Sequence, residues 1–408
     1  MKLKSQYSYF IHPYIVEKRD YVRHLLKLLK NEDCTLKMWS KKEDSNIYKY
    51  FLPVIRDFMF KSFSYTPEQL DEFKKLSPEM KALHLAKEPC TIFEYSIGSD
   101  VQGKIGERKG IFFDLTKMQI ICFNTGVCFI LLKTVLNGET SLDDLINFNY
   151  KFRDINSDFV SLQNNENIKI QTNSLKDIND ISKIIKTITG NNSDATLLNL
   201  NDERFLTYSY ACVEKEDWNE KTNIEPIEEV FEKFANVLPA SYEIAAESKV
   251  NRYKSSKYIL FGSTKQGTAL LTSSKNEKNQ EILSNSFENE YLYSYILTLY
   301  KKLFLKKVCK DIKDNYENTQ EDYVEFTQLV LLQETTDDNI GTELINKWEK
   351  SLEISKEFEN TKEKMKIISK DKAIKKGVRS TLILTIILAV ALAFSLVNFA
   401  IFMANLGK

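Results

Sequence analysis

The end of the chain contains the feature that most constrains its fold. Residues 380–407 carry no ionisable side chain and read STLILTIILAVALAFSLVNFAIFMANLG. A helix of about 20 apolar residues crosses the hydrocarbon core of a bilayer, whereas apolar runs of about 10–14 residues are more typical of buried helices in soluble proteins. We therefore predict a transmembrane helix over residues 380–407.

The residues that flank this segment predict its orientation. Lys372, Lys375, Lys376 and Arg379 precede it, and basic flanks stay on the cytoplasmic side, where they also attract anionic lipid headgroups. The first residues, MKLKSQYSYFIHPY, lack the apolar core of a signal peptide. We expect a tail-anchored protein of the inner or plasma membrane whose large N-terminal domain faces the cytoplasm.

The composition before residue 380 is that of a packed domain. The chain has 57 basic and 57 acidic residues, so no overall field attracts nucleic acid, and we expect no direct nucleic-acid partner. Aromatic residues make up 12% of the chain, while glycine and proline are scarce, which argues against a disordered tether. None of the six cysteines forms a CxxC pair, and in the cytosol they are expected to be free and mostly buried.

Strand-like and helix-like segments alternate over residues 1–284, which predicts an α/β cytoplasmic domain with a mixed or antiparallel sheet. The segment GIFFDLTKMQIICFNTGVCFILLKTVL predicts three antiparallel strands, joined at Thr116-Lys117 and at Asn124-Thr125-Gly126. A second block of strands follows an exposed linker. The region is therefore either two similar halves, divided near residues 190–203, or one large α/β unit.

The pattern becomes continuously helical after residue 284. We assign residues 285–379 to a helical stalk region, in which the aromatic segment FENEYLYSYILTLYKKLFLKKVCKDI contains no helix breaker. A single helix from Thr342 to Ala404 would be about 95 Å long at 1.5 Å per residue. Such a helix is not stable alone in water, and its loose apolar line suggests packing against copies of itself or against the preceding helices. We expect a homo-oligomer, such as a pentamer.

The sequence contains no recognisable catalytic motif. Its histidines, His12, His24 and His84, are widely spaced and lack both an HExxH pattern and cysteine partners. The phosphate-loop, dinucleotide-binding and nucleophile-elbow motifs are also missing from the sequence. We therefore expect neither an enzyme nor a metal site.

Several polar residues are candidates for binding a ligand. Three arginines each lie beside an aromatic residue, as in sites where arginine grips a phosphate and a ring stacks on a base, although ordinary surface packing gives the same pattern. The segment FGSTKQGT (Phe261–Thr268) could cradle a phosphate, but it is more typical of a hairpin turn. The ligand-binding candidates are Asn124, Arg153, Arg204, Tyr208, Arg252 and Lys265.

The apolar segment itself carries a polar face. At a heptad period, Thr381, Thr385, Ser395 and Asn398 fall within an arc of roughly 100°. Small polar groups on one face can join helices by hydrogen bonds, or can line a narrow wet pore when helices form a ring. These four residues are the pore-lining candidates, and helix–helix hydrogen bonding is the alternative.

This order of segments resembles the CorA-like family of divalent-cation channels. The resemblance is carried by GIFFDLTKMQIICFNTGVCFILLKT, by ENEYLYSYILTLYKKLF and by EFTQLVLLQETTDDNIGTELINKW. The chain looks most like the divergent CorA-like proteins associated with type III CRISPR systems. The resemblance implies a homo-oligomeric, ligand-gated membrane effector or ion channel in antiphage defence, activated by a nucleotide second messenger such as a conjugate of S-adenosylmethionine with AMP.

The chain departs from that family in two respects. The family carries a Gly-Met-Asn signature after its pore helix, whereas this chain reads FMANLGK, in which only Asn405 is a loose parallel. The family also has two membrane spans where this sequence has one, so the second span is either truncated or absent. Mg²⁺ transport is therefore an alternative function, as is a tail-anchored scaffold that holds a binding domain at the inner membrane face.

Overall fold

A single sheet of eleven strands runs through the N-terminal region. The computed structural model describes residues 1–97, 102–105, 110–154, 168–171, 181–190, 204–218, 224–242, 250–275 and 277–406. The strands are β1 (Leu3–Ile15), β2 (Cys34–Leu36), β3 (Cys90–Tyr95), β4 (Gln102–Ile105), β5 (Ile111–Phe123), β6 (Val127–Leu136), β7 (Ile168–Gln171), β8 (Leu206–Val213), β9 (Asn251–Ser256), β10 (Ile259–Ser263) and β11 (Gly267–Ser273).

Helices cover the sheet and continue beyond it. They are α1 (Tyr21–Leu29), α2 (Ser45–Tyr50), α3 (Pro53–Met59), α4 (Pro67–Lys75), α5 (Pro78–Leu85), α6 (Leu142–Phe152), α7 (Ile181–Thr189), α8 (Ile224–Asn236), α9 (Glu277–Glu288), α10 (Glu290–Asp311), α11 (Tyr316–Phe326), α12 (Asn339–Ser351) and α13 (Ile354–Leu406). A π-helical turn at Thr327–Leu331 follows α11.

Strand β1 lies at the centre of the sheet, whose order is β2-β3-β5-β6-β1-β8-β11-β10-β9, with β4 pairing with both β5 and β7. The paired strands are antiparallel except for β8 and β11. Because β1 bonds to β6 on one edge and to β8 on the other, the two blocks of strands form one large unit. Residues 191–203, which make up most of the suggested division, lie outside the described residues.

The two faces of the sheet carry separate layers of helices. In β1, Phe10 and Tyr14 belong to one apolar core, while Tyr9 and Ile11 belong to the other, as the alternation of a strand requires. Helices α1, α5, α6, α7 and α8 contribute to the first core, and α2, α3, α9, α10 and α12 contribute to the second. The predicted α/β fold with a mixed sheet, followed by a long C-terminal helix, is confirmed.

Helix α10 is the central helix of the second layer. It is apolar on nearly every side, which is typical of a buried helix. Tyr300 stacks on Phe123 of β5 with ring centroids 3.8 Å apart, and Lys301, although 3% exposed, forms an ion pair with Glu349 of α12 at 2.8 Å. The aromatic part of the region assigned to a stalk therefore lies in the core of the domain.

The predicted turn at Thr116-Lys117 is wrong. Strand β5 passes through it without interruption, because a register shift between Leu115 and Lys117 leaves Thr116 as the extra residue of a β-bulge. The turn predicted at Asn124-Thr125-Gly126 is present between β5 and β6. Its Gly126 has a φ of 86°, a left-handed conformation that glycine adopts without steric cost.

The predicted long helices are interrupted at two places. Asn289 separates α9 from α10, and Glu353, with a φ of 57°, stands between α12 and α13. The second break coincides with a tertiary contact, because the end of α12 is held on the sheet: the Ser351 hydroxyl donates to the Ser263 carbonyl at 3.0 Å. If α12 and α13 formed one straight helix, the contact between Ser351 and the sheet would also fix the direction of α13.

Helix α13 leaves the domain after its first turns. The Thr361 hydroxyl, which is buried, donates to the Leu305 carbonyl of α10 at 3.4 Å. From Asp371 to Ala400 every side chain is exposed. The helix has 53 residues, and it is long and apolar enough to cross a membrane.

We predict that Gly126→Ala destabilises the fold more than Gly138→Ala does. Both glycines have positive φ, but a Cβ at Gly126 would lie 2.0 Å from the Val16 carbonyl oxygen, whereas a Cβ at Gly138 would meet no atom within 4 Å. Each alanine carries the cost of a left-handed backbone, about 1–2 kcal/mol, and Gly126→Ala adds about 1–3 kcal/mol for the overlap. Urea unfolding of the detergent-solubilised protein measures the difference, and equal losses would contradict the close approach.

Candidate functional site

Two of the sequence-predicted arginines meet where α6 ends and β8 begins. Helix α6 starts at a capping box, in which the Ser141 hydroxyl accepts from the Asp144 amide at 3.2 Å, and it ends at Arg153. The Phe205 amide then donates to the Arg153 carbonyl at 2.8 Å. Asp154 and Arg204, about fifty positions apart in the chain, form an isolated β-bridge, which brings Arg153 and Arg204 close together.

The two arginines have different partners. Arg204 is neutralised by Asp154, whose Oδ1 lies 2.8 Å from its Nε. Arg153 is only 7% exposed; its Nη1 donates to Gln266 Oε1 at 2.5 Å, and its guanidinium lies 4.8 Å from the centroid of the Tyr150 ring. Its buried Nε has no hydrogen-bond partner, and no described residue forms an ion pair with it.

The surroundings of Arg153 are unfavourable for a cation. Burial, followed by the neighbouring charge of Arg204, lowers the pKa of Arg153. A buried charge without a counter-charge carries a large desolvation cost. The described part of this site therefore offers a charged donor, a free N–H and an aromatic ring, while its carboxylate, Asp154, lies between two guanidinium groups and pairs with Arg204.

Gln266 belongs to the hairpin that joins β10 to β11. The Thr264 amide donates to the Gly267 carbonyl at 2.9 Å, and the Gln266 amide donates to the Thr264 hydroxyl at 3.2 Å. The segment Phe261–Thr268 is thus a hairpin turn, the more typical of the two sequence interpretations. Because these two amides bond within the turn, they do not form a phosphate cradle.

The same hairpin contacts the base of the long helix. Lys265 Nζ lies 2.9 Å from Glu353 Oε2, and Glu353 is the positive-φ residue that precedes α13. Trp348 Nε1 also donates to the Thr268 hydroxyl at 3.1 Å. Contacts thus lead from Arg153 to Gln266, and from the adjacent Lys265 to Glu353, the residue between α12 and α13, which we call the hinge.

The other ligand candidates do not join this site. Tyr208 is fully buried in the second core, where its hydroxyl donates to the Phe287 carbonyl at 2.6 Å. Arg252 pairs with Glu228 at 3.2 Å and also with Glu232. Both of these residues have their partners within the fold, and Lys265 contributes to the contact with Glu353 instead.

Asn124 lies at the edge of a separate cleft of about 190 Å³. This cleft shares Lys18 and Asp322, an ion pair at 3.2 Å, with a second one of about 340 Å³ between the end of β1 and helices α10 and α11. The charges that line the larger cleft are mixed. Neither cleft includes Arg153 or Arg204.

The polar candidates on α13 are mostly bonded within their own helix. The hydroxyls of Thr381, Thr385 and Ser395 donate to backbone carbonyls three or four residues earlier, at 2.8–3.0 Å. The side-chain amide of Asn398 forms no hydrogen bond to the residues that the structure describes. Asn398 is therefore the candidate best able to bond to a neighbouring helix or to water.

A cluster that the sequence analysis missed lies in the first core. His24, Cys122 and Cys128 are buried, and their potential ligand atoms all lie within 4.8 Å of one another. The expectation that the histidines lack cysteine partners is wrong for His24. A signal was present in the sequence, since Cys122 and Cys128 are spaced symmetrically about the predicted turn and are directly paired across it.

The two thiols of this cluster differ in acidity. Burial opposes ionisation of Cys122, but hydrogen bonds with Cys128 and His24 outweigh it, so the pKa of Cys122 is lowered. Burial and the neighbouring Cys122 raise the pKa of Cys128. Cys122 is thus the first of the pair to lose its proton.

Comparison of the chain with protein-family models, with curated proteins and with solved structures gives no match.

Proposed function

We propose that this protein is a ligand-responsive effector held at a membrane by α13, with the α/β domain binding a nucleotide-like anion beside Arg153. The observation that carries the proposal is the complete exposure of the apolar half of α13. The resemblance to CorA-like effectors adds a second messenger as the ligand, permeation of the bilayer as the output and antiphage defence as the setting.

The apolar half of α13 is suited to lipid on every side. Leu382, Ile383 and Leu384 are consecutive, so they point in three different directions, and each is 57–59% exposed. An amphipathic helix that packed on a soluble partner would show a polar face at one of these positions. At 1.5 Å per residue, the uncharged segment spans the roughly 30 Å of a bilayer core.

Association of several copies would give the span a further role. The arc that contains Thr381, Thr385, Ser395 and Asn398 offers small polar groups at which helices can approach. Asn398, which has no described bonding partner, favours an interhelical or pore-lining role. The three hydroxyls bonded within their own helix favour the second candidate, a membrane-anchored scaffold without a pore.

A nucleotide is the class of anion that best fits the surroundings of Arg153. A phosphate would add negative charge to a site where two arginines share the Asp154 carboxylate, and it would accept from the free Nε in a charge-assisted hydrogen bond of the stronger kind. Tyr150 offers an aromatic ring beside the guanidinium. Mononucleotides combine the phosphate and the flat ring that these groups would recognise.

The route to the membrane would run through the hairpin. A phosphate at Arg153 competes with Gln266 for the guanidinium, and Gln266 is adjacent to Lys265, which pairs with Glu353. A shift of this turn would change the contact at the hinge and so the direction of α13. Hinges of this kind are a few residues at the ends of elements whose backbone angles absorb the change of direction.

We predict that arginines in the apolar half of α13 prevent membrane integration. Each arginine near the centre of a span costs about 3 kcal/mol, so Leu388→Arg with Leu392→Arg should move the protein from carbonate-washed membranes to the soluble or aggregated fraction. The matched control is Ile367→Arg with Ile374→Arg, because these positions on the same helix are also 64–66% exposed. Equal retention of both variants in the membrane would contradict the span.

We predict that Arg153→Gln weakens binding of AMP by about tenfold or more, because a hydrogen bond to a charged group is worth about 1.5–3 kcal/mol. Isothermal titration of the detergent-solubilised full chain measures the affinity. Arg252→Gln is the control, since Glu228 and Glu232 already hold that guanidinium. Unchanged affinity in Arg153→Gln would place the ligand elsewhere.

We predict that Asn398→Leu abolishes nucleotide-triggered leakage of dye from liposomes while leaving nucleotide affinity unchanged, because the substitution removes an unsatisfied polar group from the span. Leu396→Ala, which alters an exposed neighbour outside the polar arc, should leak like the unaltered protein. Continued leakage in Asn398→Leu would remove this residue from the pore. Nucleotide binding without leakage in the unaltered protein would favour the scaffold.

A further inference from the structure

The register of the sheet brings three metal-binding side chains together. Cys122 of β5 lies opposite Cys128 of β6, and Cys128 in turn lies opposite Tyr14 of β1. Helix α1 packs on the same face and places His24 over this row. One nitrogen and two sulfur atoms therefore converge from three separate elements, with separations of at most 4.8 Å.

We propose that His24, Cys122 and Cys128 bind a zinc ion that fastens α1 to the centre of the sheet. Thiolate sulfur and imidazole nitrogen are the ligands that zinc takes in structural sites. With Zn–S bonds of about 2.3 Å and Zn–N bonds of about 2.0 Å, tetrahedral geometry puts the ligand atoms about 3.3–3.8 Å apart. The cluster reaches that spacing by a contraction of about 1 Å, which is within reach of side-chain rotation.

The charges of such a site would balance. Two thiolates and a neutral imidazole around a divalent ion sum to zero, and binding releases the two thiol protons. This matters because the side chains are almost completely buried: both cysteines are 0% exposed and His24 is 5% exposed. A site with one thiolate fewer would leave a net positive charge in the apolar core, where charge is costly.

Tyr14 completes the surroundings of the proposed ion. Its hydroxyl lies 2.9 Å from His24 Nε2 and 4.0 Å from Cys122 Sγ. A metal-binding imidazole that donates its other ring N–H to an oxygen atom is held in a fixed orientation, and loss of such a partner typically weakens metal binding by 10–100-fold. The cluster thus offers three strong ligands and one oxygen neighbour. Its burial suits a structural site.

The metal content of the full chain tests the proposal. The protein is expressed with added zinc, purified in mild detergent without chelator, and analysed by mass spectrometry of the element. We expect about one zinc per chain, which is lost in Cys122→Ser and in His24→Gln. Cys90→Ser is the matched control, because Cys90 is equally buried in the adjacent strand β3 but belongs to the second core. Its zinc should be retained.

Two further measurements keep the test decisive if a ligand variant fails to fold. Co²⁺ added to the chelator-treated unaltered protein should give thiolate-to-cobalt charge transfer and the visible bands of a tetrahedral site. Tyr14→Phe should weaken zinc binding by about 10–100-fold in competition with a chelator. A chain that binds neither metal would overturn the proposal, as would a Cys122–Cys128 disulfide found by counting thiols in the denatured protein.

Discussion

The hydrogen-bonded ladders on both edges of β1 are the constraint on which the rest of this structure depends. A strand with partners on each side has no free edge. The strands on its two sides, β6 and β8, are therefore both held in register with it. Tyr14 is thereby set opposite Cys128, and Ile11 opposite Leu206. One central strand thus aligns both the buried cysteine cluster on β5 and β6 and the arginine pair at the start of β8.

The exposed part of α13 cannot remain in water. About a dozen large apolar side chains between Leu382 and Phe399 are each at least half exposed, and burial of such a side chain contributes about 1.5–3 kcal/mol. The total, of order 20 kcal/mol, exceeds the 5–15 kcal/mol by which whole domains are stable. Covering this surface with lipid or with other copies of the helix would therefore be strongly favourable, and the basic residues before it would favour an anionic bilayer surface.

Features determined by local sequence were predictable. The turn at Asn124-Thr125-Gly126 follows from turn-forming residues that are adjacent in the sequence. The bulge at Thr116 and the break at Glu353 were not predictable in this way. Both depend on tertiary contacts: the first on pairing with β6, the second on the attachment of α12 to the hairpin through Ser351.

The same distinction between local sequence and tertiary contacts applies to the candidate sites. Sequence identified Arg153 and Arg204 by residue type, but the difference between them depends on tertiary placement: Arg204 is in ion-pair contact with Asp154, whereas Arg153 is buried and bonds to Gln266. The His24 cluster depends on the register of three strands and on the placement of α1, neither of which follows from the spacing of the three residues in the sequence. Because Arg153 and Cys128 are both aligned through β1, a ligand at one site and a metal at the other would stabilise the same central ladder.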